Sequence, residues 1–460
     1  MWWLFAAAAV IGASVLIVVV TDMRPGYDGF GWLVWGHQVL YGSLNTDGAP
    51  SWKPLTFLFT LPYALAGYGQ MWLWMVTSVA GALAGSVFAA RIAYRLTGPS
   101  PARAYAPLVA AAFAGVGVLG IAGYTQQILI ANADPIVAAL CLAAIDCHFS
   151  KRPRLAFAML VLASLGRPEA SPFAVLYALW GWRAVPSMRL WAAAGIALIP
   201  ALWFVISGLT SKSWFTASDL ALSSVNSRNV VHGNKFAGVI DRFGGLYAWP
   251  MWLAALTGLG LALGRRDREL LALAGAACLW VAIEIGFVLH GFTGAARYLF
   301  EPAAVVVVIA GGAVGRVLAY APRRPRALGL AGPVAVVALL VALAPTVRQR
   351  ARLVHGEVSQ SHADARLMNR LVAVIAKDGG AARITACGQP VTPVGQQSKV
   401  AWALGLNVGN VGFTPGRSIE LGTRVVVLKP HDLGWQVRPF NMHGATAARC
   451  NRLKTDSAFG

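Results

Sequence analysis

The sequence predicts a polytopic α-helical membrane protein. It has about eleven transmembrane helices, a long first external loop of surface helices, and a small C-terminal α/β extracytoplasmic domain. Two observations predict this class. The 460 residues are 57% hydrophobic and only 12% charged, whereas soluble domains carry roughly 25% charged residues. Apolar runs near the ~20 residues that a membrane helix needs also recur along most of the chain.

The net charge of +20 indicates topology rather than nucleic-acid binding. Most arginines stand in short segments between apolar runs, as they do at the cytoplasmic ends of membrane helices. We therefore expect a multi-pass protein of the plasma (inner) membrane, with no nucleic-acid partner, a cytoplasmic N-terminus and an external C-terminal domain. The predicted spans cover residues 1–21, 70–96, 105–122, 128–147, 155–165, 170–182, 190–209, 249–264, 270–290, 302–318 and 328–344.

The first elements of the chain are an anchor and a long loop. Residues 1–21 have no basic segment ahead of their apolar run, so we interpret them as a retained anchor rather than a signal peptide. In the loop at 22–69, the helical spacing of apolar residues after Asp28 predicts a helix lying flat on the membrane surface, with its tryptophans at headgroup depth. Residues 54–66 are too short to span and predict a surface or re-entrant helix.

The composition changes after the last predicted span, which divides the chain into a transmembrane module at 1–346 and an extracytoplasmic domain at 347–460. We expect a helix over 347–377, then a strand at 383–388, a helix at 400–406 and a strand at 423–430. Cys387 and Cys450 flank this core. In an oxidising compartment they are expected to form a disulfide.

Charged residues in or beside apolar spans cost free energy and therefore point to function. Under the predicted topology nearly all of them fall at the outer ends of the spans, as a site facing the outer leaflet requires. For Glu284 and His290, which have similar helical facing, we favour a structural role. The candidates are Asp28, His37, Lys53, Asp134, Arg167, Glu169, Glu284, His290 and Arg297.

The first external loop carries two stretches that resemble motifs of the GT-C superfamily, the integral-membrane glycosyltransferases that use polyprenyl-phosphate sugars. Residues 28–32 (DGFGW), followed by VLYG at 39–42, are similar to the acidic opening of that family's loop. Residues 51–55 (SWKPL), followed by LAG at 65–67, look like the stretch that closes it.

Two further resemblances lie at the ends of later spans, in the family's order. Residues 132–135 (NADP) and 165–169 (LGRPE) are similar to an acidic motif and a basic-Pro-Glu motif, and residues 296–302 (ARYLFEP) to an Arg-Tyr motif. The resemblance implies an inverting glycosyltransferase. Its donor is a polyprenyl-phosphate-linked sugar in the lipid bilayer, and its acceptor is a cell-envelope glycan, lipid or protein.

For such a transfer we expect Asp28 as the general base and cations on the donor phosphate, namely Lys53, Arg167 and Arg297. Asp28 should lie within about 6–8 Å of these cations but not in contact with them. A helix N-cap is the alternative role of Asp28, and Asp22 is the rival base. The remaining cavity residues are expected to be Asp22, Trp32, His37, Trp52, Asp134, Glu169 and Tyr298.

Asp22 and Asp28 could also hold a divalent cation, Mg²⁺ or Mn²⁺. A phosphate that Lys53 and Arg297 neutralise does not require one. Two other classes also stay open. A transporter or flippase of lipid-linked sugars should show repeated halves and polar groups at mid-membrane, neither of which the sequence has. A non-catalytic scaffold of envelope assembly would leave the outward group of acids and bases unexplained.

Overall fold

The structure, a computed structural model, describes residues 2–48, 52–98, 103–223, 230–320, 330–431, 434–450, 452–453 and 455–456. The predicted cytoplasmic arginines Arg323, Arg324 and Arg326 lie outside these residues. The helices up to residue 377 are α1 (Trp2–Val20), α2 (Tyr27–Leu40), α3 (Pro54–Tyr63), α4 (Gly69–Thr97), α5 (Ala106–Leu119), α6 (Tyr124–Leu129), α7 (Asp134–Phe149), α8 (Pro153–Gly166), α9 (Ser171–Ala184), α10 (Arg189–Pro200), α11 (Ile206–Thr210), α12 (Thr216–Ser223), α13 (Lys235–Gly244), α14 (Trp249–Arg265), α15 (Arg268–Leu289), α16 (Phe300–Ala319) and α17 (Ala331–Lys377).

The apolar helices confirm a multi-pass membrane protein, but not the number of spans. A helix stands at each predicted span. Within the described ranges, however, only six helices are long and apolar enough to cross a membrane, or seven if α13 and α14 form one bent span. Helices such as α5 and α8 have 14 residues each. At 1.5 Å per residue, they are about 21 Å long, short of the ~30 Å hydrocarbon layer.

Helix α16 is the centre of the bundle and is buried along nearly all of its length. It packs against α4, α5, α14 and α15. Gly311 permits this close approach, because a Cβ there would stand 3.1 Å from both the Ala110 oxygen and the Ala93 side chain. Small residues at such crossings bring helix backbones together in membrane bundles. The N-terminal end of α16 is thereby fixed in the middle of the molecule, beside the site described below.

Helix α2 forms where the apolar spacing predicted it, but the expectation that its tryptophans lie at headgroup depth is wrong, because the rest of the protein covers them. Trp32 and Trp35 have no exposed surface. Trp32 packs edge-to-face on Trp74, with ring centroids 5.6 Å apart, and Trp35 packs on Trp52 at 5.3 Å. Apolar residues occur on all sides of α2, the pattern of a buried helix rather than a surface one.

The C-terminal region begins without a break, because α17 runs through the predicted boundary between residues 346 and 347. Its helices are α18 (Ala381–Cys387), α19 (Gln397–Leu404), α20 (Pro415–Glu420) and α21 (Gly444–Cys450). Its described strands are β1 (Gln389–Val391), β2 (Val425–His431), β3 (Gly434–Phe440) and β4 (Thr455–Asp456), in the order β1-β2-β3-β4. Strand β1 is parallel to β2, and the other neighbours are antiparallel.

Several expectations for this region are confirmed and one is wrong. A helix at 400–406, a strand at 423–430 and the Cys387–Cys450 disulfide are confirmed. The predicted strand at 383–388 is instead helix α18. Ile384 and Cys387, its two buried residues, are three apart as on one face of a helix, and alanines favour that conformation.

Candidate active site

Asp134 lies at the centre of a group of charged side chains at the predicted outer end of the bundle. It is the first residue of α7, and its side chain has no exposed surface. Its Oδ1 accepts a hydrogen bond of 2.6 Å from Arg167 Nη2 and lies 3.5 Å from Lys53 Nζ. Its Oδ2 lies 3.4 Å from Arg297 Nε. Three cations from three separate segments therefore converge on one carboxylate.

Prolines place two of these cations. Lys53 precedes Pro54 at the start of α3, and Arg167 precedes Pro168 at the end of α8. A residue before proline is disfavoured in the helical conformation. Both residues are accordingly extended, with φ of −140° and −145°. Each cation therefore stands at a helix end and not on a helix face.

Tyr298 separates the two arginines. It lies with Arg297 in a 3₁₀ turn, Ala296–Leu299, directly ahead of α16. The guanidinium carbon of Arg167 is 4.0 Å from the centre of its ring, and that of Arg297 is 5.5 Å away. The ring face attracts both cations and so offsets part of their mutual repulsion. The Trp280 indole N–H donates to the Tyr298 carbonyl at 3.1 Å and fixes this turn.

Two glutamates complete the surroundings of Arg167. Its Nη1 lies 3.6 Å from Glu169 Oε1, and its Nε lies 3.7 Å from Glu301 Oε1. With Asp134, Arg167 thus faces three carboxylates, and its side chain is 4% exposed. The Arg167–Glu169 pair is thus part of a larger network. Such a buried, multiply paired arginine orders its neighbours, because removing it would leave buried charges uncompensated.

Glu301 is the member of this network that the sequence analysis did not single out. It lies in the first turn of α16, and neither carboxylate oxygen has a hydrogen-bond partner among the described residues. Glu284 of α15 is also buried, with one oxygen likewise unpartnered there. A glutamate directly before a proline at the mouth of an apolar run was a visible signal, because intramembrane carboxylates require a reason.

Asp28 stands at the edge of this group. It is in the first turn of α2, and its Oδ2 lies 3.7 Å from Arg297 Nη2. The expectation that Asp28 is not in contact with the cations is therefore wrong. The planar guanidinium of Arg297 has donors on several sides, so it faces Asp134 with Nε and Asp28 with Nη2. The N-cap alternative is also wrong, because Gly26 is the N-cap of α2.

The side chains of Asp28 and Arg297 are 26% and 30% exposed, in contrast to Asp134. Asp28 is thus the accessible carboxylate of the group. Its neighbour Tyr27 is largely buried, and desolvation, followed by the nearby charge of Asp28, raises the pKa of the Tyr27 hydroxyl. The Tyr27 phenol therefore keeps its proton, and Asp28 is the only carboxylate in this turn of α2.

The structure places the other predicted cavity residues away from the Asp134 pairings. Asp22 pairs with Arg24 at 2.8 Å. Trp32 and Trp52 are fully buried, so neither presents a ring to a substrate cavity; Trp32 instead packs beneath Lys53, 5.5 Å from its Nζ. The ring of His37 packs on Tyr41.

The expected similar facing of Glu284 and His290 is not observed, because Glu284 is buried and His290 is exposed. Helix α15 ends at Leu289, and His290 is its C-cap. Glu284 is therefore an interior residue of α15, whereas His290 lies at its exposed end.

The two carboxylates suggested as metal ligands each lie against an arginine. Asp22 faces Arg24, and Asp28 faces Arg297. Mg²⁺ and Mn²⁺ are bound by several oxygen ligands. Across the described part of the chain, no group of three or more His, Cys, Asp or Glu side chains has the arrangement of a metal site. In the group around Asp134, Lys53, Arg167 and Arg297 supply positive charge that a phosphate could meet.

Comparison with known proteins identifies the fold. No protein-family model and no curated protein matches the sequence. The crystal structure of ArnT from Cupriavidus metallidurans in the apo state matches with a TM-score of 0.52 and 14% identity, over 93% of this chain and 92% of that one. The structure of ArnT bound to undecaprenyl phosphate matches at 0.49 and 15%, over 96% and 98%. The chain therefore has an ArnT-like membrane fold.

Proposed function

We propose that this protein is a GT-C-type membrane glycosyltransferase that moves a sugar from a polyprenyl-phosphate carrier to a cell-envelope acceptor at the outer face. One observation carries the proposal. The four stretches that resemble GT-C motifs are far apart in sequence, yet their charged residues meet in one group around Asp134. That group combines fixed cations with an accessible carboxylate, the two requirements of glycosyl transfer from a phosphate.

The reaction follows from these two parts. The acceptor hydroxyl oxygen attacks the anomeric carbon, and Asp28 takes the hydroxyl proton. The bond between the anomeric carbon and the phosphate oxygen breaks, and its electron pair leaves on the carrier phosphate. Cations beside that oxygen stabilise the developing charge. Attack from the face opposite the phosphate inverts the configuration at the anomeric carbon.

The three cations divide this work according to their exposure. Arg297 and Lys53 have exposed side-chain surface, 30% and 14%, whereas Arg167 is surrounded by carboxylates. We assign phosphate binding to Arg297 and Lys53. Arg167 then positions them indirectly by holding Asp134, which both of them face. Asp134 thus orients the phosphate-binding cations and takes no proton itself.

A carrier of lipid-linked sugars is the second candidate, since it would bind the same phosphate. Asp28 favours the transferase, because phosphate binding alone does not benefit from a carboxylate next to Arg297. A negative charge beside the phosphate site weakens anion binding but supplies a base.

Arg297→Ala tests phosphate binding. Charge-assisted hydrogen bonds contribute about 1.5–3 kcal/mol, so we expect binding of undecaprenyl phosphate to weaken roughly 10- to 150-fold. The measurement is titration of purified protein in nanodiscs. Arg417→Ala, which removes an exposed arginine of α20, is the control and should bind as the parent does. Unchanged affinity in Arg297→Ala would overturn the assignment of the site.

Transfer itself is measured as release of undecaprenyl phosphate from a panel of undecaprenyl-phosphate pentoses and hexoses, with envelope extracts as acceptor. We expect turnover with at least one donor of the panel. Binding without turnover of any donor, together with movement of the lipid across the bilayer, would support the carrier instead.

A further inference from the structure

Helix α13 makes a right angle with the helix that follows it. The two helices meet at 94°, and α14 is long and apolar enough to contribute to a membrane span. If α14 runs across the bilayer, α13 lies in the plane of the bilayer surface. Asn234 caps the start of α13 by accepting a hydrogen bond from the Ala237 N–H at 3.0 Å. The short helix therefore has a defined start and a fixed direction.

Helix α13 exposes apolar side chains. Phe236 and Ile240 are 58% and 44% exposed, while Val239, on the side of the helix next to them, is buried against the rest of the protein. Phe236 and Ile240 are four residues apart and so share one face of the helix. A helix with exposed apolar residues on one face, and with Lys235 at its start, is suited to the headgroup layer of a bilayer. The perpendicular membrane helix places α13 at that layer.

Arg242 connects α13 to the segment that carries Arg297. Its Nη1 donates to the carbonyl oxygens of Thr293 and Gly294, and its Nη2 donates to the Val230 carbonyl at 2.9 Å. Gly294 has a φ of +60°, and a Cβ there would collide with Val288. The turn therefore has little freedom to adjust, and it leads into Arg297 three residues later.

We infer that the bilayer surface holds α13 through Phe236 and Ile240, and that Arg242 transmits this placement to Arg297. Helix α13 also packs against α15 and directly against the 3₁₀ turn of Arg297. The partner of the exposed face is the lipid headgroup layer. The role of Arg242 as a positioning residue rests on the proposed function, whereas the docking of α13 on lipid does not.

The docking is tested by fluorescence. Ile240→Cys carries a bimane label in protein whose free cysteines, Cys141, Cys147 and Cys278, are replaced by Ala. In nanodiscs that contain lipids with a headgroup nitroxide, we expect strong quenching at position 240. The matched control is Asp241→Cys, an exposed position turned about 100° away on the helix, and we expect weaker quenching there. Equal quenching at the two positions would overturn the docking.

The positioning role is tested by a double-mutant cycle on undecaprenyl phosphate binding. We expect Arg242→Ala to weaken binding about tenfold, and Arg242→Lys, which keeps one donor, to weaken it less. If Arg242 acts through Arg297, then Arg242→Ala has no further effect when Arg297 is already Ala. Independent, additive effects, or unchanged binding in both Arg242 variants, would overturn the positioning role.

The quenching measurement and the double-mutant cycle together distinguish a failure of the proposed function from a failure of this further inference. If the parent protein binds no undecaprenyl phosphate, the proposed function fails, and the quenching measurement still decides whether α13 docks on lipid. If the parent binds the lipid and the cycle is additive, the proposed function stands and the coupling through Arg242 fails.

Discussion

Asp134 and Asp28 share Arg297 as a partner, but they stand in two different regions. The floor of the site, Asp134 and Arg167, is nearly without exposed surface, and the Arg167–Asp134 hydrogen bond is 2.6 Å long. The rim, Asp28, Arg297 and Lys53, is partly exposed, and its Asp28–Arg297 pair is 3.7 Å long. A base must contact the proton that it takes. We therefore infer that the residues of the floor hold the site in its geometry and that the residues of the rim contact the substrates.

The two regions are also built differently. The floor consists of helix ends of the membrane bundle, the start of α7 and the end of α8. The rim includes α2, which is covered by α19 from the C-terminal region. Ser398 of α19 donates a hydrogen bond of 2.6 Å to the carbonyl of Tyr27, the residue before Asp28. We therefore expect substitutions in the floor to change stability and those in the rim to change turnover.

Asp134→Asn should have the largest effect. It leaves Arg167, Lys53 and Arg297 without their common carboxylate, and breaking a buried ion pair costs roughly 3–5 kcal/mol. We expect a lower midpoint of thermal unfolding in nanodiscs and loss of turnover at all temperatures. Asp146→Asn is the comparison, since Asp146 is a buried carboxylate that pairs with Arg91 and Arg95 outside the site; it should lower stability without a separate loss of turnover by the folded fraction. If the Asp134→Asn protein were stable but inactive, Asp134 would take part directly in the reaction, and its assignment to the floor would be wrong.

Asp28→Asn should reduce turnover and leave stability unchanged. Loss of a general base typically costs about 10²- to 10⁴-fold in rate. Binding of undecaprenyl phosphate should not weaken, because the change removes a negative charge next to Arg297. Single-turnover rates and lipid titrations measure the two effects separately.

Asp22→Asn distinguishes the rival base. Asp22 pairs with Arg24 and not with a cation of the rim. If turnover is lost in Asp22→Asn and kept in Asp28→Asn, the base is Asp22 and the rim as defined is incomplete.

Local sequence signals explain why most of the floor and rim could be predicted. Lys53, Arg167 and Asp134 each precede a proline beside an apolar run, which places them near the membrane boundary. The proline also explains the extended conformation of Lys53 and Arg167, whereas Asp134 is already helical. Their mutual distances do not follow from such signals. Glu301 also precedes a proline, so its place at the membrane boundary had a local signal, but its contact with Arg167 at the end of α8 had none.

The burial of α2 shows the other limit of sequence analysis. The apolar residues of α2 predicted a helix, but what covers it comes from residues such as Ser398, 371 positions away. A surface helix and a buried one differ only in such non-local contacts. The same contacts connect the C-terminal region to the turn that carries Asp28. Neither the sequence of α2 nor that of α19 predicts this connection.

Removing the Cys387–Cys450 disulfide should test whether the rim depends on the C-terminal region. The bridge joins residues 63 positions apart and contributes about 4 kcal/mol in the chain-entropy model. For the variant with both cysteines replaced by Ser, we expect faster proteolysis of residues after 377 and reduced turnover. Unfolding of the membrane helices should change little. Cys278→Ser, at an exposed free cysteine, is the control. Full turnover with a proteolysed C-terminal region would show that the rim is held by the membrane helices alone.

Ser398→Ala should give the smallest effect and the most specific one. Ser398 is fully buried, and its hydroxyl contributes one hydrogen bond, worth about 0.5–1.5 kcal/mol, to the first turn of α2. Because that turn carries Asp28 and not the phosphate-binding cations, we expect kcat to fall a few-fold while the affinity for undecaprenyl phosphate stays constant. Ser398→Thr keeps the hydroxyl and should recover part of kcat. Ser359→Ala, at an exposed serine of α17, should change neither quantity. If Ser398→Ala weakened lipid binding as strongly as turnover, α19 would support the whole site, and the separation between floor and rim would not hold.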